Sequence, residues 1–138
     1  MAECTAEEEH LIRTAHAMLR RHYAPDRHEI GAALWTAEGR EFAAVNLDVR
    51  LGRAAVCAEA IAIGMAVAAG DRHIESIVAV NIAGKAVSPC GVCRELLADY
   101  APNARVILPG EQGPEVLSIR ELLPRRYRKD GELDGLPG

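Results

Sequence analysis

The order of helical and extended segments constrains the fold of this chain more than any other feature. A capping box at Thr5 and Glu8 begins a helix, and Glu38 and Gly39 then form the turn of a hairpin. Helices and strands alternate after the hairpin. We predict strands at 29–36, 40–47, 76–81, 105–108 and 115–117, and helices that begin near residues 5, 57, 90 and 118. This order predicts an α/β fold, a three-layer α/β/α sandwich around a mixed five-stranded sheet.

Length and composition narrow the class of protein. The 138 residues predict a single domain, 1–138, with flexible ends at 1–6 and 129–138. A net charge of −4 and an aromatic content of 4% argue against nucleic-acid binding, which uses basic surfaces and stacking rings. No apolar run reaches the ~18 residues that cross a bilayer, and the acidic segment 1–9 does not resemble a secretory signal. We therefore expect a cytoplasmic protein with neither membrane nor nucleic acid as a partner.

Three of the four cysteines lie at predicted helix starts. Cys57 opens one helix, and Cys90 and Cys93 form a CxxC pair at the start of the next. A CxxC pair by itself also fits a redox pair or half of a zinc ribbon. A helix N-terminus lowers the cost of holding a thiolate, which is the form that binds zinc. We predict one Zn²⁺ per chain on these three sulfurs, with Arg94 beside them to offset their negative charge.

The number of ligands and the position of Glu59 favour a catalytic site. Structural zinc sites usually have four protein ligands, whereas catalytic sites keep one position for water. Cys4 could complete a four-ligand site, but it belongs to an acidic segment with no evident reason to lie nearby. Glu59 follows Cys57 by two positions in an otherwise apolar helix. Its carboxylate can reach a water on the zinc and act as a general acid and base.

These segments carry a resemblance to a known family. Cys57-Ala58-Glu59, together with Pro89-Cys90-Gly91-Val92-Cys93, resembles the zinc nucleoside deaminases, namely the cytidine and blasticidin S deaminases. The resemblance extends from about residue 8 to residue 127, and it implies the cytidine deaminase-like fold. It also implies hydrolytic deamination, in which zinc-bound hydroxide attacks C4 of cytosine, Glu59 transfers the protons and ammonia leaves.

The resemblance also implies roles for residues around the metal. The Ala58 amide would bind the ring carbonyl at C2, and the Ser88 carbonyl would accept a hydrogen bond from the amine. Asn46 and Asp48 would bind the sugar, although cytidine deaminases usually have glutamate where Asp48 stands. We expect further substrate contacts from His28, which stands where cytidine deaminases often have a phenylalanine against the pyrimidine. We expect another from Tyr127, which follows a segment, 120–124, that resembles the C-terminal end of blasticidin S deaminases. Small members of the family form homotetramers in which neighbouring subunits complete each site.

Several alternatives remain open on the sequence alone. Cytidine, deoxycytidine and an antibiotic such as blasticidin S are close rivals as substrates, and another amino-heterocycle is a further candidate. A zinc-stapled binding module without enzymatic activity would need a fourth ligand on the metal. A nucleic-acid deaminase is disfavoured by the acidic charge balance.

Overall fold

The computed structural model describes residues 2–132 and contains four helices, one 3₁₀ turn and seven strands. The helices are α1 (Ala6–His22), α2 (Ala58–Ala68), α3 (Gly91–Tyr100) and α4 (Ile119–Leu122), and the 3₁₀ turn is Gly52–Ala54. The strands are β1 (Ala2–Glu3), β2 (Gly31–Thr36), β3 (Glu41–Val45), β4 (Ile74–Val80), β5 (Ala86–Val87), β6 (Arg105–Leu108) and β7 (Glu115–Ser118). Within residues 2–132, no helix is both long and apolar enough to cross a membrane.

The strands form one mixed sheet, as the sequence predicts. Its order is β1-β7-β6-β4-β2-β3, with the short β5 paired to β4. The β4–β6 pair is parallel and the other pairs are antiparallel. Gly31 of β2 lies opposite both Val45 of β3 and Val80 of β4. The start of β2 and the ends of β3 and β4 therefore meet at one edge of the sheet.

The sheet is covered on both faces by helices, which confirms the three-layer arrangement. Leu11 and Ala15 of α1 pack with Val78, Ile107 and Val116 on one face. On the other face, α2 and α3 pack against a second aliphatic cluster that includes Leu34, Ala62, Ile77, Leu97 and Val106. Alanine is frequent in both clusters, so the helices can approach the sheet closely.

The strands β1 and β5 are absent from the sequence prediction. Each contains two residues, too few to display an alternating pattern. β5 falls between the predicted strand 76–81 and the predicted helix that begins near residue 90. β1 falls in the segment 1–6, which we expected to be a flexible end, and it pairs along the outer edge of β7. At the other expected flexible end, 129–138, residues 133–138 lie outside the described residues.

The predicted capping box at the start of α1 is present, and Glu8 has a second role. Its carboxylate accepts hydrogen bonds from the Thr5 amide, the Ser76 hydroxyl and the Arg105 guanidinium at 2.8–3.1 Å. Burial by itself raises the pKa of Glu8, but these hydrogen bonds outweigh it and hold the pKa below its usual value. Glu8 thus joins α1 to β4 and β6 through a buried polar contact.

Gly31 permits the close packing of α1 on β2. A Cβ atom at this position would lie 2.5 Å from the Ala15 carbonyl oxygen and 2.8 Å from the Leu19 Cβ. Because the first contact is with helix backbone, we expect Gly31→Ala to lower the free energy of unfolding by about 2–3 kcal/mol. Urea denaturation measures this loss. Gly52→Ala is the control, since nothing lies within 4 Å of a Cβ there; equal losses in both variants would contradict the packing role.

Candidate active site

The three predicted zinc ligands converge at the N-termini of two helices. Cys57 is the N-cap residue of α2, Cys90 is the N-cap residue of α3, and Cys93 lies in the first turn of α3. Their Sγ atoms all lie within 4.8 Å of one another, and those of Cys57 and Cys90 are 3.4 Å apart. In residues 2–132, no other group of three or more histidine, cysteine or acidic side chains has the spacing of a metal site.

The geometry of the sulfur cluster fits zinc. Zn–S bonds of about 2.3 Å at tetrahedral angles place the sulfurs about 3.8 Å apart. The distance between the Cys57 and Cys90 sulfurs is 3.4 Å and no pair of the three exceeds 4.8 Å, so the cluster can close on a zinc ion. Three sulfur donors also favour zinc over magnesium and calcium, which are harder cations that bind oxygen ligands. Three protein ligands leave one tetrahedral position for water or substrate.

The electrostatics of the cluster also favour a cation. Burial raises the pKa of Cys57 and of Cys93, and the neighbouring Cys90 thiol and Glu59 carboxylate add to these rises. Burial acts in the same direction on Cys90, but the Cys93 and Val92 amides and the Cys57 thiol hold its pKa below the usual value. The start of α3 therefore favours a thiolate at Cys90. A divalent cation supplies the positive charge needed to hold all three residues as thiolates.

Glu59, the predicted proton-transfer group, is buried beside the sulfur cluster. It lies in the first turn of α2 and is only 5% exposed. Burial raises the pKa of its carboxyl, partly offset by a hydrogen bond from its own backbone amide. A carboxyl whose pKa lies closer to neutral pH can both accept a proton and return it during the reaction.

A cavity of about 400 Å³ opens beside Glu59 and the sulfurs. Its size falls within the range of small-molecule sites. Its lining includes seven of the predicted site residues: Asn46, Asp48, Cys57, Ala58, Glu59, Ser88 and Cys90. It also includes four residues that the sequence analysis did not select: Ile30, Ala55, Val56 and Val87. Ile30 and Val87 pack against a small buried cluster that includes Ala58, so they provide apolar walls beside the first turn of α2.

Asn46 connects the cavity to the start of β2. Its Oδ1 accepts hydrogen bonds from the Glu29 and Ile30 amides at 2.9 and 3.1 Å, so its amide NH₂ is the group that can donate to a ligand. His28 Nδ1 lies 2.7 Å from the Asn46 carbonyl oxygen, to which it donates when protonated at Nδ1. His28 is not among the residues that line the cavity. Its observed contact supports Asn46, and its contact with substrate stays a prediction.

The fold and this site agree with comparisons to known proteins. The family model described as the cytidine and deoxycytidylate deaminase zinc-binding region matches residues 5–108. The chain belongs to this family. It is thus a hydrolytic deaminase whose cofactor is zinc, and the cluster of Cys57, Cys90 and Cys93 is positioned to bind the metal ion.

Individual relatives and solved structures are similar over most of the chain. A blasticidin-S deaminase from Bacillus cereus is 40% identical over 116 residues, which cover 78% of this chain and 83% of the relative. A cytidine deaminase from Halalkalibacterium halodurans is 32% identical over 108 residues, which cover 76% of this chain and 82% of the relative. The crystal structure of a cytidine deaminase from Burkholderia pseudomallei superposes with a TM-score of 0.75 at 32% identity. The superposition covers 89% of this chain and 99% of that structure.

Three further residues that the sequence analysis discussed are Tyr127, Cys4 and Arg94. Tyr127 is 81% exposed and does not line the cavity, so its contact with substrate stays a prediction. Cys4 packs with the α1 face of the sheet, opposite the face that carries α2 and α3, and burial raises its pKa to about 11. Arg94 donates hydrogen bonds to two backbone carbonyls, those of Pro89 and Leu122. Its expected interaction with the thiolates also stays a prediction.

A larger groove, of about 810 Å³, lies at the opposite edge of the sheet. It runs between the start of α1, the start of β4 and the end of α3, and it contains Trp35 and Tyr100. None of the three clustered cysteines lines it. Of these two cavities among the described residues, the smaller one combines clustered cysteines with the buried Glu59.

Proposed function

We propose that this deaminase hydrolyses the exocyclic amine at C4 of a cytosine nucleoside. In this proposal, zinc is held by Cys57, Cys90 and Cys93, and Glu59 transfers the protons. The observation that carries it is the burial of Glu59 in the same 400 Å³ cavity that two of the cysteines line. Water and the cytosine nucleoside give the uracil nucleoside and ammonia, so the reaction needs no redox partner.

The residues around the cavity can perform each proton transfer. Bound zinc supplies the Lewis acidity that makes water a nucleophile near neutral pH. The Glu59 carboxylate would accept a proton from the attacking water and deliver it to N3 of the ring. It would then take the remaining proton from the new C4 hydroxyl and pass it to the amine, so that ammonia leaves as the C4 carbonyl forms. The Ala58 amide is the first of α2, so it has no carbonyl partner within the helix and can donate to the C2 carbonyl. The Ser88 carbonyl accepts from the amine.

The polar groups at the other end of the cavity are suited to sugar hydroxyls. Asn46 offers its NH₂ group as a donor. Asp48 accepts a hydrogen bond from the Val49 amide with one carboxylate oxygen, at 2.9 Å, and can accept from a hydroxyl with the other. Both residues line the cavity together with Glu59. This supports a substrate in which a hydroxylated group is attached to the base.

Blasticidin S is the second candidate substrate, because the relative from Bacillus cereus is named for it and is 40% identical. We expect the zinc-loaded enzyme to deaminate at least one of cytidine, deoxycytidine and blasticidin S, with a change in ultraviolet absorbance. Adenosine serves as a different amino-heterocycle, and Glu59→Gln measures any uncatalysed background. The proposal fails if none of the three cytosine compounds reacts, and turnover of adenosine alone would point to another ring.

The assembly we propose is a homotetramer, as the resemblance implies. The exposed part of α2 carries Gly64, Met65, Val67 and Ala68, and the only charged residue of this helix is the buried Glu59. Exposed apolar surface of this kind is typical of protein interfaces. Light scattering tests the proposal, and a particle of only 14.9 kDa would contradict it. The cytoplasmic location and the lack of nucleic-acid binding stay predictions.

A further inference from the structure

Arg94 connects the segment before the metal site to the C-terminal helix. Its side chain is half-buried and follows Cys93 directly in α3. Nε donates to the Pro89 carbonyl at 2.9 Å, and Nη1 donates to the Leu122 carbonyl at 3.0 Å. Pro89 stands between Ser88 and Cys90, and Leu122 is the last residue of α4. One guanidinium therefore holds two backbone positions that are far apart in sequence.

Both carbonyls benefit from a side-chain donor. Pro89 is buried and immediately precedes the N-cap of α3, so its carbonyl lies outside the regular helical hydrogen bonds. Leu122 is the last residue of α4, so its carbonyl has no partner within the helix. Leaving a buried carbonyl without a donor destabilises the folded state. The planar fork of arginine satisfies both carbonyls at once, which a lysine ammonium at the end of a flexible chain does less well.

We propose that Arg94 is a positioning residue that fixes the Ser88–Pro89–Cys90 backbone through the Pro89 carbonyl. This inference rests on the proposed function, because Ser88 and Cys90 matter to catalysis only if they hold the amine and the zinc. The fixed backbone orients the Ser88 carbonyl toward the cavity and keeps the Cys90 sulfur within reach of Cys57. The C-terminal helix thereby supports a site that none of its own residues lines.

Arg126 provides a matched control, because it also attaches the segment made of α4 and the residues up to 126 to the rest of the protein. It also joins this segment to α3, through Asp99 at 2.9 Å and Glu95 at 3.4 Å. Asp99 lies near the end of α3, at the opposite end from the two cysteines. Replacing Arg126 therefore weakens the same attachment and leaves the Pro89 carbonyl paired with Arg94.

The experiment compares Arg94→Ala, Arg94→Lys and Arg126→Ala as purified, zinc-loaded proteins. We measure zinc release to a chromogenic chelator, the thermal midpoint, and kcat and KM on the best cytosine substrate. Removal of supporting hydrogen bonds around metal ligands typically costs 10–100-fold in affinity or activity. We expect Arg94→Ala to release zinc at least 10-fold faster and to lose at least 10-fold in kcat. Arg94→Lys should lie between this variant and the wild type.

The outcome for Arg126→Ala decides between positioning and simple stabilisation. We expect its thermal midpoint to fall while its zinc release and kcat stay within about twofold of wild type. Equal zinc release by Arg94→Ala and Arg126→Ala would overturn the proposal, as would wild-type release by Arg94→Ala. If Arg94→Ala does not fold, the comparison of Arg94→Lys with Arg126→Ala decides. If wild type binds zinc but deaminates no cytosine compound, the proposed function fails while the release rates still test Arg94.

Discussion

Replacing Glu59 by glutamine is expected to lower kcat by about 10⁴-fold, equivalent to about 5.5 kcal/mol of transition-state stabilisation. Glutamine has nearly the same shape as glutamate and can still form hydrogen bonds, but it cannot accept a proton from water near neutral pH. The buried position of Glu59 leaves bulk solvent few routes to replace it. Absorbance assays on the cytosine substrate measure the loss, and metal analysis of the same sample measures the zinc content.

The control for Glu59→Gln separates chemistry from folding and metal binding. Glu59 is not part of the sulfur cluster, so the variant should keep its zinc and its thermal midpoint. Glu75→Gln removes an exposed carboxylate from β4 at the opposite edge of the sheet and should leave kcat unchanged. A Glu59→Gln enzyme that retains more than a tenth of wild-type kcat would refute the assignment of proton transfer to this carboxyl.

Cys90→Ser is expected to lose both zinc and activity. A neutral serine hydroxyl is a much weaker zinc ligand than a thiolate, and the two remaining sulfurs provide only half of a tetrahedral shell. We expect the zinc content to fall from about one per chain to less than about 0.1, with kcat below detection. The thermal midpoint should fall as well, because bound zinc joins α2 to α3 and stabilises the folded state.

Cys4→Ser provides the matched control for the loss of zinc. It makes the same chemical change on the α1 face of the sheet, away from the three clustered sulfurs. Zinc content and kcat should therefore remain at wild-type levels in this variant. Loss of zinc from Cys4→Ser, or full zinc occupancy in Cys90→Ser, would contradict the three-sulfur site.

The order of the main elements could be predicted from the sequence because the signals are local. The five principal strands, the capping box at Thr5 and the helix starts at Cys57 and Cys90 all follow from side-chain periodicity and capping chemistry over a few residues. The three sulfurs could be grouped because zinc chemistry requires donors of this type to meet. The two-residue strands β1 and β5 could not be predicted, since pairing with a neighbour defines them.

Only the tertiary structure decided which apolar residues line the cavity and what the supporting side chains contact. Ile30, Val56 and Val87 come from separate segments, and they become neighbours because β2, β3 and β4 meet at one edge of the sheet. The sequence placed Arg94 next to a cysteine, but the folded chain turns its guanidinium toward two carbonyls, one of them in α4. Local patterns determine the elements and the type of metal site, whereas contacts between distant segments depend on how the elements pack.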